Sequence, residues 1–316
     1  MSSHSILQSR LAGAQLALTL RIGLGLVFVI GGWAKLERLL TPSRAKGIVD
    51  EYVGPLGYIN QTFLDWLFQS PLGVVATPWN FLTLLSAFEL VSGIVLIAGL
   101  MVRPLAVFWA LLLWSFVFSL PVVTTPGVKP PAATYMSPAE FVQIRDIALS
   151  GFFFVLYNLG PGARSVDHDV FAVPAERPHD WEALGLLLRL SLGVVFLVGG
   201  LFAGYNKITT FGMPGLLLTL IGAGLVAGLW TRTFGAAAAA LLVYFMVSKL
   251  AGASGIVGYL NSVKREFALL AGAGVLALAG GGSRFAATRA IQSFNEWTHI
   301  YVGGQRVSEA IPARQK

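Results

Sequence analysis

Apolar residues run through this 316-residue chain in long blocks separated by short polar joints. About 20 mostly apolar helical residues cross a bilayer core. Eight blocks come near that length: 14–34, 80–101, 104–123, 139–159, 183–204, 213–231, 234–252 and 264–281. The pattern predicts an all-α, polytopic membrane protein of about eight transmembrane helices, with both termini on one side. The joints VRP at 102–104 and TRT at 231–233 turn the chain between consecutive helices, each with an Arg at the boundary. The leading MSSHSILQSR is short and polar, and no small-residue cleavage site follows before WAKLER, so the first block reads as a retained span and not a signal peptide.

The blocks repeat. RIGLGLVFVIGG at 21–32 matches RLSLGVVFLVGG at 189–200 with seven identities in twelve positions, and GLMVRP at 99–104 matches GLWTRT at 228–233. RDIAL at 145–149 matches REFAL at 265–269, and GPGAR at 160–164 matches GGGSR at 280–284. Matches in one order predict two tandem four-helix units of parallel topology. The predicted organisation is a first unit at 1–167, a linker at 168–183, a degenerate second unit at 184–284, and an interfacial helix and tail at 285–316. In that tail Phe285, Ile291, Phe294 and Trp297 share one helical face, which suits a helix lying flat on the membrane. Long loops at 36–78 and 124–138 fall opposite the termini; within the first, WLFQSPLGVV reads either as an interfacial or re-entrant element or as a plain surface loop.

Composition agrees with the pattern. Hydrophobic residues make up 55% of the chain and charged ones only 12%, against about 25% charged in soluble domains. The net charge of +7 is scattered over helix ends and forms no basic face, which favours contact with lipid headgroups over nucleic acid. Ten basic residues on the terminal side face eight on the other. The acidic residues Glu37, Asp50, Glu51 and Asp65 in the loop opposite tilt the reading towards cytoplasmic termini in a plasma (inner) membrane. There is no cysteine, and His4, His168, His179 and His299 all lie outside the spans, so no metal or haem site is visible.

Against this background the charges inside the blocks stand out, because a carboxylate near the centre of a span is expensive. From the long-loop side, Glu89 lies about 15 Å deep, Asp146 about 12 Å and Arg21 about 21 Å, at 1.5 Å of rise per residue. These depths predict that Glu89 pairs with Arg21 or Arg145 and that Asp146 completes a buried cluster. Arg145 and Asp146, being adjacent, are expected to face different neighbours. A static lock between helices is the alternative use of the same residues. Glu89 has Leu218 as its counterpart in the second unit. Trp109, Trp114 and Tyr157 are candidate stacking partners for a quinone ring, with helix or lipid packing as the alternative.

These motifs resemble the DoxX/DoxD-like membrane family: the Arg of LRIGLGLVFVIGGWAKL, the Glu of FELVSGIVLIAGLMVRP, and QIRDIALSGFFFVLYNLGPGARSVD. The longer loops, with GYINQTFLDWLF and TPWNFLTLLSAFEL, resemble the DoxD subunit of thiosulfate:quinone oxidoreductase more closely than short DoxX proteins. The resemblance covers 17–167 well and 184–284 loosely. It implies a membrane subunit that takes electrons from thiosulfate, giving tetrathionate, and passes them to quinone as acceptor, beside a DoxA-like subunit or other respiratory-complex subunits. On that expectation Glu89 and Asp146 act in proton transfer, and Arg21, Arg145 and Trp114 hold substrate or quinone. A non-catalytic membrane anchor or assembly module is the first alternative. A small-molecule carrier is the second, disfavoured by the lack of helices broken at matching positions in the two units.

Overall fold

The computed structural model describes residues 3–54, 59, 61–119, 139–201, 215–253 and 255–293. Its helices are α1 (Ser3–Leu40), α2 (Pro42–Val53), α3 (Gln61–Gln69), α4 (Pro78–Ala98), α5 (Val102–Ser119), α6 (Ala139–Leu159), α7 (Val166–Asp169), α8 (Trp181–Leu201), α9 (Gly215–Ala227), α10 (Thr231–Leu250) and α11 (Ile256–Ala279). A 3₁₀ turn spans Pro71–Val74, and residues 287–293 are helical. No strand occurs among the described residues. A helix lies in each of the eight predicted blocks, though α9 spans only Gly215–Ala227 of 213–231. Gly13–Leu40, Pro78–Ala98, Trp181–Leu201 and Thr231–Leu250 are long and apolar enough to cross a membrane; Val102–Phe118 and Gly215–Ala227 are shorter apolar helices. The chain is an all-α polytopic membrane protein.

Local chemistry sets the helix ends. At Thr77 the side chain accepts from the Asn80 amide at 3.2 Å, with Pro78 next, so α4 starts there. It stops at Gly99, whose φ of +78° suits glycine; Gly99 and Leu100 donate to the carbonyls of Leu96 and Val95. The end of α9 repeats this: Gly228 has φ +72°, and Gly228 and Leu229 donate to Leu225 and Gly224.

Four helices, α1, α6, α8 and α11, form the centre. Outside them, α4 packs on α1, α5 on α6, α9 on α8 and α10 on α11. Between the sequence halves, α1 packs on α11 and α6 packs on α8. Exchanging each helix for its sequence counterpart turns one of these contacts into the other, as across a two-fold axis. A continuous core runs through both halves, with Leu24, Phe28, Trp109 and Phe152 from the first and Leu188, Phe196, Leu242 and Leu269 from the second. Residues 170–177 lie on the end of α6: the Gly162 amide donates to Ala175 and the Arg177 amide to Leu159.

The predicted end of the first span near Ala34 is corrected, since α1 continues to Leu40. No glycine or proline intervenes between Trp33 and Leu40, and the break comes at Thr41, where the following Pro42 disfavours the helical region and the backbone is extended. The long loop then holds two helices. Ile48 and Tyr52 of α2 fold back on Leu39 and Leu82. The WLFQSPLGVV stretch ends α3 and forms the 3₁₀ turn, leaving Trp66, Val74 and Val75 exposed. The loop at 124–138, and Phe294 and Trp297 of the tail, lie outside the described residues.

Close approach of α1 and α4 depends on missing side chains. A Cβ at Gly32 would stand 2.6 Å from the Leu90 amide nitrogen and 2.7 Å from the Ser86 carbonyl oxygen. Neither backbone can yield without parting the helices. Gly32→Val is therefore expected to lower the stability of the detergent-purified protein by about 1–3 kcal/mol. Thermal unfolding checks this, and Leu84→Val, at an exposed position on the same pair, serves as the neutral control.

Candidate functional site: a charged cavity between the halves

Two arginines expected at membrane depth serve a structural end. Arg21 is 1% exposed and donates to the carbonyls of Pro161 (2.5 Å), Ala163 (3.3 Å) and Arg164 (2.9 Å), just past the end of α6. Arg189 of α8 repeats the arrangement, donating to Gly281 (3.2 Å) and Arg284 (2.7 Å) past the end of α11, and to Leu225 and Val226 of α9. Carbonyls at helix C-termini lack intrahelical donors, and the negative end of the helix dipole favours a cation there. A planar guanidinium with five N–H donors meets several of them at once.

Arg21 therefore does not pair with Glu89, contrary to the expectation from depth. In the α1–α4 contact Gly25 faces Gly93 and Gly32 faces Ser86 and Leu90, so the level of Arg21 on α4 is Gly99, not Glu89. Ten residues of helix, about 15 Å, separate those two levels. The partner of Glu89 is Lys35, by a short hydrogen bond between side chains of 8–10% exposure. Gly31, one helical turn before Lys35, leaves room there: a Cβ would stand 3.5 Å from Lys264 Nζ and 3.7 Å from Glu89 Oε2.

The remaining charges cross between halves. Asp146 on α6, 1% exposed, accepts from Arg265 Nε on α11 at 3.1 Å, while Arg145 lies 3.7 Å from Glu266 Oε1. Adjacent opposite charges on one helix thus meet adjacent opposite charges on its counterpart, in reciprocal order. Arg145 and Asp146 do face different residues, as expected from their angular separation. Arg145 pairs with Glu266 and not with Glu89. Lys264 completes the group, donating to Asn261 Oδ1 at 2.8 Å.

Glu89, Lys35, Asp146, Arg265 and Lys264 share the wall of one cavity of about 60 Å³, together with Phe28, Tyr52 and Phe116. At about 30 Å³ for each water, it has room for roughly two. Tyr52 places its ring 5.3 Å from Lys35 Nζ. Among the described side chains of the cluster, Lys35, Arg145, Lys264 and Arg265 stand against Glu89, Asp146 and Glu266, so the formal charge is four positive to three negative. The arrangement joins carboxylates, cations and water-sized space inside an apolar bundle, which suits proton transfer or the holding of a small anion.

Of the five expected site residues, the cavity brings together Glu89 and Asp146, with Arg145 among their neighbours in the cluster. Arg21 lies at the other end of the bundle. Trp114 stacks on Phe118 with ring centroids 5.5 Å apart and is not on the cavity wall. Trp109 is fully buried and stacked on Phe28, and Arg103 lies over the Tyr157 ring at 4.2 Å, so these rings are engaged in packing. Sequence reasoning missed Lys35 and Lys264 as site residues because both were counted as loop-side cations. Spacing held a signal for Lys35, which follows Gly31 by one turn on the face opposite Glu89.

The fold and cluster define a polytopic membrane protein with a charged cavity closed jointly by its two sequence halves. Residues 16–120, about a third of the chain, match the DoxX family model. That stretch holds Arg21, Lys35, Glu89 and Trp114, whereas Arg145, Asp146 and the second half lie outside it. No curated protein and no solved structure matches the chain.

Breaking one buried pair leaves a charge without a partner, while replacing both members by apolar groups removes the desolvation cost as well. Arg265→Met is expected to destabilise the protein by about 3 kcal/mol or more, and adding Asp146→Leu to restore most of the loss. Thermal unfolding of the two variants beside the parent measures this.

Proposed function

We propose that the protein is the membrane subunit of a quinone-linked oxidoreductase, in which the cavity between the halves handles protons. The carrying observation is that Glu89 and Asp146, from α4 and α6, line one water-sized space with three cationic side chains. Ionisable residues at membrane depth mark proton and ion pathways. Reducing a quinone takes up two electrons and two protons, so a subunit working at that depth needs such a route. On this reading Glu89 and Asp146 relay protons, and Lys35 and Arg265 hold the two carboxylates in place. Arg21 and Arg145, expected as anion or quinone holders, would act through the bundle's geometry, since each is engaged with protein groups.

The finer reading extends this one. The chain would be a DoxD-like tandem duplication, with termini in the cytoplasm of an inner membrane and a DoxA-like subunit beside it. Two thiosulfate ions would join through a new sulfur–sulfur bond as tetrathionate, and the two electrons released would go to quinone. Resemblance supports this reading, and the matching hydrogen bonds of Arg21 and Arg189 in the two halves support its duplication alone. The cavity's 60 Å³ is well below the roughly 150 Å³ of a cavity that takes up benzene, which favours water over a ring in that space. The cavity residues are accordingly assigned to protons, and no step is routed through a ring bound there.

A second reading has its own observation. The reciprocal pairs Asp146–Arg265 and Arg145–Glu266 would equally serve as a static lock in an anchoring or assembly module. Glu89→Gln separates the two, because it keeps shape while removing the titrating group. Thiosulfate-driven reduction of a soluble quinone analogue by membranes containing the chain and its partners is expected to fall at least about 100-fold. Undiminished turnover in that variant would sink the proton-relay role, and loss of complex assembly with turnover per complex intact would favour the anchor.

A further inference from the structure

The half that supplies Glu89 also has the longer connection beside it. Between α1 and α4 the chain runs through residues 41–77, which hold α2 and α3; between their counterparts α8 and α9 it runs only through 202–214. At Thr41 the backbone is extended ahead of Pro42, and α2 turns back there to lay Ile48 and Tyr52 on Leu39 and Leu82. Tyr52 forms part of the cavity wall, its ring 5.3 Å from Lys35 Nζ. One turn further along α1, Arg38 donates to Glu51, the neighbour of Tyr52, at 2.6 Å. The contact that covers the cavity and the ion pair beside it thus lie on successive turns of α1.

This cover is held more lightly than the helices under it. Within α2 only Ile48 and Tyr52 are buried, whereas α4 and α11 bury residues along most of their length. Arg38 and Glu51 keep part of their surface in water, where an ion pair adds little stability. Segments with few buried apolar contacts open at the lowest free energy. Helical backbone is disfavoured ahead of a proline, so the extended Thr41 gives α2 a hinge at which it can swing without unwinding α1.

We propose that α2 is a lid over the charged cavity, latched by Arg38 and Glu51, and that its release at Thr41 admits water from the long-loop side to Lys35 and Glu89. With the lid seated, Tyr52 and Phe116 close the space beside the Lys35–Glu89 pair, and the bundle keeps its few waters apart from the solvent. With the lid raised, Glu89 exchanges protons directly with bulk water. A lid of this kind sets when a buried route is open and when it is sealed. Its purpose rests on the cavity's handling of protons, while access to the cavity is measured without turnover, so a failed turnover assay and a failed access assay are told apart.

The chain has no cysteine, so one introduced thiol reports on the cavity alone. A Cβ at Gly31, on the cavity wall, would meet Lys264 and Glu89 at ordinary contact distance, and Gly31→Cys therefore places a thiol among the charges. Intact mass spectrometry of the full-length protein in detergent follows its modification by a trimethylammonium methanethiosulfonate, a reagent larger than the closed space. Slow modification is expected with the latch intact, and modification roughly fivefold faster once Glu51→Gln removes it. Glu37→Gln, which removes the same charge from the exposed Arg44–Glu37 pair, should leave the rate unchanged. A thiol placed by Ala238→Cys, fully buried away from the cavity, should stay slow in Glu51→Gln. Fast modification of Gly31→Cys with the latch intact overturns the lid, because the cavity is then open already. Equal rates in the Glu51 and Glu37 variants also overturn it, as does acceleration at Ala238→Cys, which marks a general loosening of the bundle.

Discussion

Burying charge inside an apolar bundle is tolerable only where each charge meets an opposite charge or hydrogen-bond partners, and this constraint bears on how the two halves join. Arg145 and Asp146 on α6 face Glu266 and Arg265 on α11, so each helix presents one cation and one anion to the other. A relative slide of one turn would move the groups about 5 Å and leave four charges mismatched. The attraction itself adds little net stability, because removing such groups from water costs about as much as pairing them regains. Its effect is selective: other registers of α6 against α11 are penalised far more than this one is favoured. The helices around the centre then pack on a frame whose register is already set.

The same economy of groups governs the bundle's far end. Arg21 and Arg189 each gather the free carbonyls past the fourth long helix of their own half. Glycines at 99 and 228 leave space for the guanidinium beside the turn, and a Cβ at either would strike it. Both halves share this end; only the first carries Glu89, whose counterpart Leu218 is fully buried. Among these two positions, the cavity thus draws a carboxylate from the first half alone. Even so, the cavity is incomplete without the second half, which supplies Lys264 and Arg265.

Much of this was legible from the chain. Apolar blocks located the long helices, because helical length and hydropathy are properties of a single segment. Matching motifs also identified the residues that make matching contacts, Arg21 with Arg189 and Arg145 with Arg265. Depth along a helix, however, does not reveal which helix lies opposite. The choice of Arg21 as the partner of Glu89 failed on the register between α1 and α4, which the glycines at 25, 32 and 93 set through backbone contact. Lys35 and Lys264 escaped notice because a cation at the edge of an apolar block looks the same whether it reaches water or turns inward. Only the packing of α2, with Tyr52 beside Lys35, covers that edge and makes Lys35 an interior residue.

Size and charge together narrow what the cavity can do. A space for about two waters does not hold a large substrate, but it is enough to connect carboxylates through hydrogen bonds. With four cations against three anions among the described residues of the cluster, adding a proton to any carboxylate raises an existing positive excess, whereas admitting an anion offsets it. Proton uptake and anion entry would therefore favour each other in this space, each reducing the electrostatic cost of the other. That coupling follows from the charge count alone. It leaves Lys264, whose hydrogen-bond partner Asn261 carries no charge, as a cation of the cluster with no ion pair among the described residues.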